Sequence, residues 1–152
     1  MFLFKYIAKL SYRTEALTTK YIGYLIMRTS IKKYKSSFAD SVVDADPHTL
    51  ISIIFKHILI NVAIAKGAIP RKEIENKSRA LIKAMALVGE LQDSIDMEQG
   101  GEISINLFDL YQYAIVCLTE ANIENNTDKL DEVTNLITNI KEGWEAIPLE
   151  NR

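Results

Sequence analysis

The chain has 152 residues, enough for one domain with a proper core and too few for two comfortable ones. Hydrophobic residues make up 48% and charged residues 25%, the balance of an ordinary soluble globular protein, and a formal charge of -2 gives no reason to expect a nucleic-acid partner. A single cysteine, Cys117, excludes an intramolecular disulfide and fits a reducing cytoplasm.

The first 26 residues differ from the rest. They hold Lys5, Lys9, Arg13 and Lys20 against one acid, Glu15, and four of the seven tyrosines. Their apolar pieces are short and interrupted, with no uninterrupted apolar core or small-residue cleavage site of a secretory signal. Three readings stand open for this atypical extension. It is an untranslated upstream stretch with Met27 as the candidate start, a poorly ordered tail, or a basic amphipathic element that touches a membrane or partner. Residues 27–45 read as a leader segment, in which Ile31, Tyr34 and Phe38 lie at helical spacing and give one or two turns an apolar edge.

Helix signals become regular at Asp46-Pro47. The Asp side chain can cap free N–H groups, and proline at the first helical position loses no hydrogen bond. This helix is expected to run to about Lys66 or Gly67, where Gly67 and Pro70 break it. In the second helix Ile74, Ser78, Leu81, Met85, Val88, Leu91 and Ile95 recur at three- and four-residue steps, and Gly100-Gly101 stops the run. A third helix carries Ile103, Leu107, Leu110, Ala114, Cys117 or Leu118, and Ala121. Asn125-Asn126-Thr127-Asp128 marks the next turn and cap. The fourth carries Leu130, Val133, Leu136 or Ile137, Ile140, Trp144 and Ile147 before Pro148. Alternating apolar runs joined by hairpin turns are missing, so strands are not expected. Four such helices with short connections predict an all-α, antiparallel four-helix bundle spanning residues 46–148, with a short N-terminal leader helix and a tail at 149–152.

The first long helix has too much apolar surface for a bundle helix. Thr49, Ser52, Lys56 and Lys66 fall in one polar arc, and His57 and Asn61 fall opposite; almost everything else is aliphatic or Phe. Two accounts fit, and they can combine: deeper burial with the leader packed over it, or a groove for an amphipathic partner segment. Ser52, Lys56, His57 and Asn61 interrupt the stretch from Leu50 to Ala65, so stable membrane insertion is not expected.

Catalytic patterns are missing. His48 and His57 lie nine residues apart, on opposite faces of one helix. The paired Glu-x-x-His motifs of di-iron bundles, phosphate-cradling glycine loops and nucleophile elbows do not occur. Cys117, among Ile115, Val116 and Leu118, reads as a small buried hydrophobe. Asp93, Asp96, Glu98 and Glu102 cluster at a turn, but their spacing does not match a calcium loop. The reading is a binding protein, not an enzyme, with no catalytic residue, metal or cofactor.

With these residues in place, the stretch from Met27 to Ile147 resembles the flagellin-specific export chaperone family FliS. Ser41-Val42-Val43-Asp44-Ala45-Asp46-Pro47 is similar to the family's lead-in to the first long helix, and Asp96-Met97-Glu98-Gln99-Gly100-Gly101-Glu102-Ile103 to its turn between the second and third. Asn106-Leu107, Leu110-Tyr111-x-Tyr113, Leu118-x-x-Ala121-Asn122, Leu130-x-x-Val133 and Trp144 follow in the family's order. Two departures stand out. Ile54-Phe55-Lys56-His57 replaces a Leu-Tyr-Asp/Asn-Gly segment, and Val116-Cys117 replaces a frequent pair of arginines.

The resemblance implies a cytoplasmic chaperone that binds the disordered C-terminal region of flagellin, prevents its premature polymerisation and delivers it to the flagellar export gate. The alternative is a helical adaptor whose main partner is another flagellar export or regulatory protein. Partner-binding residues are expected on the apolar faces around Leu50, Ile54, Phe55, Ile58, Ile103, Leu107, Leu110 and Tyr111. Ile31, Tyr34 and Phe38 in the leader are expected near that groove.

Overall fold

A computed structural model describes residues 46–148 of the chain. The leader and the first 26 residues, with Ile31, Tyr34 and Phe38, lie outside the described residues. Four helices follow one another: α1, Pro47–Ala68; α2, Ile74–Asp93; α3, Gly101–Glu124; and α4, Thr127–Glu145. No strand occurs among the described residues. Each helix packs on the next in sequence, and α4 closes back onto α1. The architecture is the all-α bundle that the periodicity predicts.

Local chemistry sets the helix ends. Asp46 caps α1: its carboxylate accepts from the Thr49 N–H at 3.1 Å and from the Thr49 hydroxyl at 2.5 Å, with Pro47 in the first turn. Gly67 lies inside α1, and the break comes at Pro70 and at Lys72, whose φ of 58° turns the chain left-handed. Proline, which lacks an N–H, ends the hydrogen-bonding that glycine merely weakens. Asn125 ends α3 in the left-handed region. Asn126 caps α4 through its side-chain oxygen, which accepts from the N–H groups of Asp128 and Lys129.

Long-range hydrogen bonds fix the antiparallel order. At the start of α2, the Lys77 ammonium donates to the Asn122 carbonyl at the end of α3. At the end of α2, the Gln92 amide donates to the Phe108 carbonyl early in α3. Likewise Lys66 near the end of α1 pairs with Asp131 near the start of α4, and His48 at the start of α1 meets Trp144 at the end of α4. One end of the bundle therefore holds the α1–α2 and α3–α4 turns, and the other holds the α2–α3 turn.

The core takes Phe55, Ile58 and Val62 from α1; Leu81, Val88 and Leu91 from α2; Leu118 and Ala121 from α3; and Leu130, Val133 and Ile137 from α4. Cys117 is buried as expected, and burial raises its thiol pKa. Two stripe positions predicted for α2 behave differently. Ile74, at the first position of α2, is 71% exposed, and the α2 seam instead begins at Lys77 and Ala80. Ile95 lies past the end of α2.

The apolar excess of α1 is plain. Lys56 and Lys66 are its only charges, and it is long and apolar enough to cross a membrane by length and composition alone, a test that the core helix of a soluble protein also passes. Only 28% of its most apolar window is buried. Among the described residues, Ile60 and Ile64 remain 52% and 48% exposed, while the polar Asn61 turns inward and donates to the His57 carbonyl at 2.8 Å. One in-turn hydrogen bond is enough to satisfy part of a buried amide, which is why Asn61 is tolerated on the core side.

Candidate functional site: an apolar cleft at one end of the bundle

At the end that carries the α2–α3 turn, the helices do not close. A cleft of about 630 Å³ opens there. Its floor and walls come from Ile51 and Phe55 of α1, Leu91 of α2, Leu107 and Tyr111 of α3, and Trp144 of α4. Ile95, Ile140 and Ile147 add to the apolar lining, and Ser94, Asp96, Gln99 and Ser104 form a polar margin on the α2–α3 turn. An apolar cavity with a few polar groups at its edge suits a side chain or segment that is greasy on one face.

Two devices hold the margin of the cleft. The first is the α2–α3 turn. Asp96 accepts through one carboxylate oxygen from the N–H groups of Glu98 and Gln99, both at 2.9 Å, and its carbonyl accepts from the buried Ser104 hydroxyl at 2.8 Å. A Cβ on Gly100 would sit 1.7 Å from that hydroxyl, and Gly101 has a φ of 54°, so both glycines are required by the packing and the turn. The carboxylate of Asp96 is thus used as a turn former. Among the described residues no group of three or more His, Cys, Asp or Glu side chains could hold a metal ion.

The second device is a clasp between α1 and α4. The His48 and Trp144 rings stack with centroids 5.0 Å apart and an interplanar angle of 12°. The His48 Nε2–H donates to the Trp144 carbonyl at 2.9 Å, and the Trp144 Nε1–H donates to the His48 carbonyl at 3.1 Å. A carbonyl only accepts, so this arrangement also fixes which ring nitrogen carries the proton.

The sequence-predicted partner residues divide into three groups. Phe55, Leu107 and Tyr111 line the cleft; Tyr111 is buried, and burial raises its phenol pKa. Leu50 and Ile54 are half-buried on α1 outside the cleft lining, and Ile58 is fully buried in the core one turn beyond Ile54. Ile103 and Leu110 sit on the same side of α3 as Leu107, 77% and 39% exposed. Ile105 and Phe108 are also exposed, so the first half of α3 buries only the narrow seam of Ser104 and Tyr111. Sequence reasoning missed Ile51, Leu91, Ile140 and Ile147 as cleft residues. Each has the spacing of an ordinary core position; Leu91 is in fact buried, and Ile51, Ile140 and Ile147 are half-buried because the bundle stays open at that end.

Comparison with known proteins agrees with this geometry. The family model described as Flagellar protein FliS matches residues 30–151. The flagellar secretion chaperone FliSB of Pseudomonas aeruginosa is 40% identical over 119 residues, covering 78% of this chain and 94% of the relative. The flagellar secretion chaperone FliS of Vibrio cholerae is 33% identical over 125 residues, covering 82% and 92%. That of Salmonella typhimurium is 35% identical over 121 residues, covering 78% and 90%. An all-helical bundle with an open apolar cleft, matched over most of its length by these relatives, belongs to the FliS family of flagellar secretion chaperones.

Proposed function

We propose that this chain is a cytoplasmic export chaperone that holds the disordered C-terminal region of flagellin, keeps it from polymerising and hands it to the flagellar export gate. The observation that carries the reading is the apolar cleft together with the uncovered apolar face of α3 beside it. Leu107 lines the cleft, and Ile103 and Leu110 continue the same face into solvent. Such a surface has no role in the closed bundle and suits an amphipathic helix laid across it. In this reading Ile103, Leu107, Leu110, Leu50 and Ile54 touch the bound segment, Phe55 and Tyr111 form the floor, and Ile58 supports the floor from within. A disordered segment loses conformational entropy as it orders, which lowers its affinity and favours later release at the export gate.

Isothermal titration of the chain against the C-terminal portion of its cognate flagellin tests the reading. Binding is expected, and Ile103→Asp with Leu110→Asp should weaken it by at least about tenfold while the helical circular dichroism stays unchanged. Absence of any complex with the unaltered chain would overturn the reading.

A further inference from the structure

Charge is divided unevenly between the two ends of the bundle. Around the cleft, residues 46–56, 90–109 and 140–148 hold nine carboxylates against two lysines, Lys56 and Lys141. The remaining described residues, 57–89 and 110–139, hold seven acidic and seven basic side chains. The excess at the cleft lies on the surface: Asp93, Asp96, Glu98, Glu102, Glu142 and Glu145 are all exposed, and Asp96 lines the cleft itself.

Local structure accounts for part of this charge. Asp96 holds the turn, Glu102 faces the positive end of α3, and Glu145 pairs with Lys141 at 2.8 Å, which keeps its carboxyl below the ordinary range. Glu98, beside the cleft margin residue Gln99, and Glu142, beside the lining residue Gly143, make no ion pair with a described residue. Among the described residues the cleft is thus an apolar opening with an acidic surround, and its low-dielectric walls focus the field of those carboxylates at the mouth.

We propose that the cleft selects an amphipathic segment whose apolar anchor is flanked by lysine or arginine and rejects one flanked by acids. This rests on the cleft being the flagellin-binding site and gives the chemistry of the flagellin segment it takes. Apolar burial supplies the holding energy, which is shared by every greasy segment. The acidic surround raises the encounter rate of cationic segments and sets like charge against the rest, which is how a shallow apolar site gains discrimination.

The test uses two synthetic amphipathic helices with one common apolar face, one flanked by lysines and one by glutamates, titrated into the full chain beside the flagellin C-terminal portion. At low ionic strength the lysine-flanked peptide should bind about tenfold more tightly, and added salt should shrink the difference. Glu98→Lys with Glu142→Lys should remove most of that preference, whereas Glu75→Lys with Glu124→Lys at the other end should leave it. Equal binding of the two peptides, or an equal effect of the two pairs of substitutions, would overturn the proposal. If flagellin fails to bind while the lysine-flanked peptide keeps its advantage, the flagellin reading falls and the charge selectivity stands.

Discussion

Where α1 passes into α2 and α3 into α4, the helices meet through small or fully buried residues, among them Ala65, Ala68, Ala80, Leu118, Ala121 and Leu130. Polar locks tie that end together. The Lys77 ammonium, on a residue only 5% exposed, donates to the Asn122 carbonyl at 2.7 Å and to the Asn125 side chain at 2.6 Å, and Ser78 donates to Asn122. At the opposite end the side chains are larger, with Ile51, Phe55, Leu91, Tyr111 and Trp144, yet they leave a cleft open. Small residues let helices approach closely, whereas large ones hold them apart unless they interdigitate. The bundle therefore concentrates its stability at one end and its binding surface at the other.

Three measurements press on that division. The largest effect is expected from paired truncations at the two ends. Leu118→Ala, in the fully buried core, should cost about 3 kcal/mol in denaturant unfolding, and Leu107→Ala at the cleft about 1 kcal/mol while weakening the bound segment. Equal costs would mean that the cleft is part of the load-carrying core. Next comes Lys77→Met, which leaves the Asn122 carbonyl without its buried donor. A loss of about 2 kcal/mol is expected, with peptide binding at the distant cleft unchanged.

The smallest effect is a pH dependence at the open end. The Thr49 hydroxyl, and then the Thr49 N–H, hold the Asp46 carboxyl below its ordinary value of 3.8. The folded pKa is therefore the lower one. The stabilisation from ionised Asp46 is complete above the unfolded value and disappears as pH falls through the folded value. Asn caps about as well as Asp but does not titrate in this range. Thermal unfolding of Asp46→Asn and the unaltered chain, compared between about pH 5 and about pH 3, should show the smaller decrease in the variant.

Much of this fold was legible because its signals are local. Asp46-Pro47, Gly100-Gly101 and Asn126 mark three of the helix starts, and the apolar spacing between them is helical throughout. The cleft was only partly legible. Ile103 and Leu110 carry the same spacing as Leu118, yet the first two face solvent and the last is fully buried. Periodicity tells which face a residue shares, while the presence of a neighbouring helix depends on where along the bundle that residue falls. Asn61, which falls opposite the polar arc of α1, does sit inside, held by a hydrogen bond to its own helix, whereas the aliphatic Ile60 and Ile64 face out.

Trp144 is the only tryptophan in the chain, and it sits in the wall of the cleft under the His48 ring. Its indole is therefore a built-in optical probe of that opening. A segment entering the cleft changes the water and the polarity around one ring, and no other tryptophan dilutes the signal. Emission colour and quenching then report occupancy directly, so the binding behaviour of the chain is measurable without attaching a label to either partner.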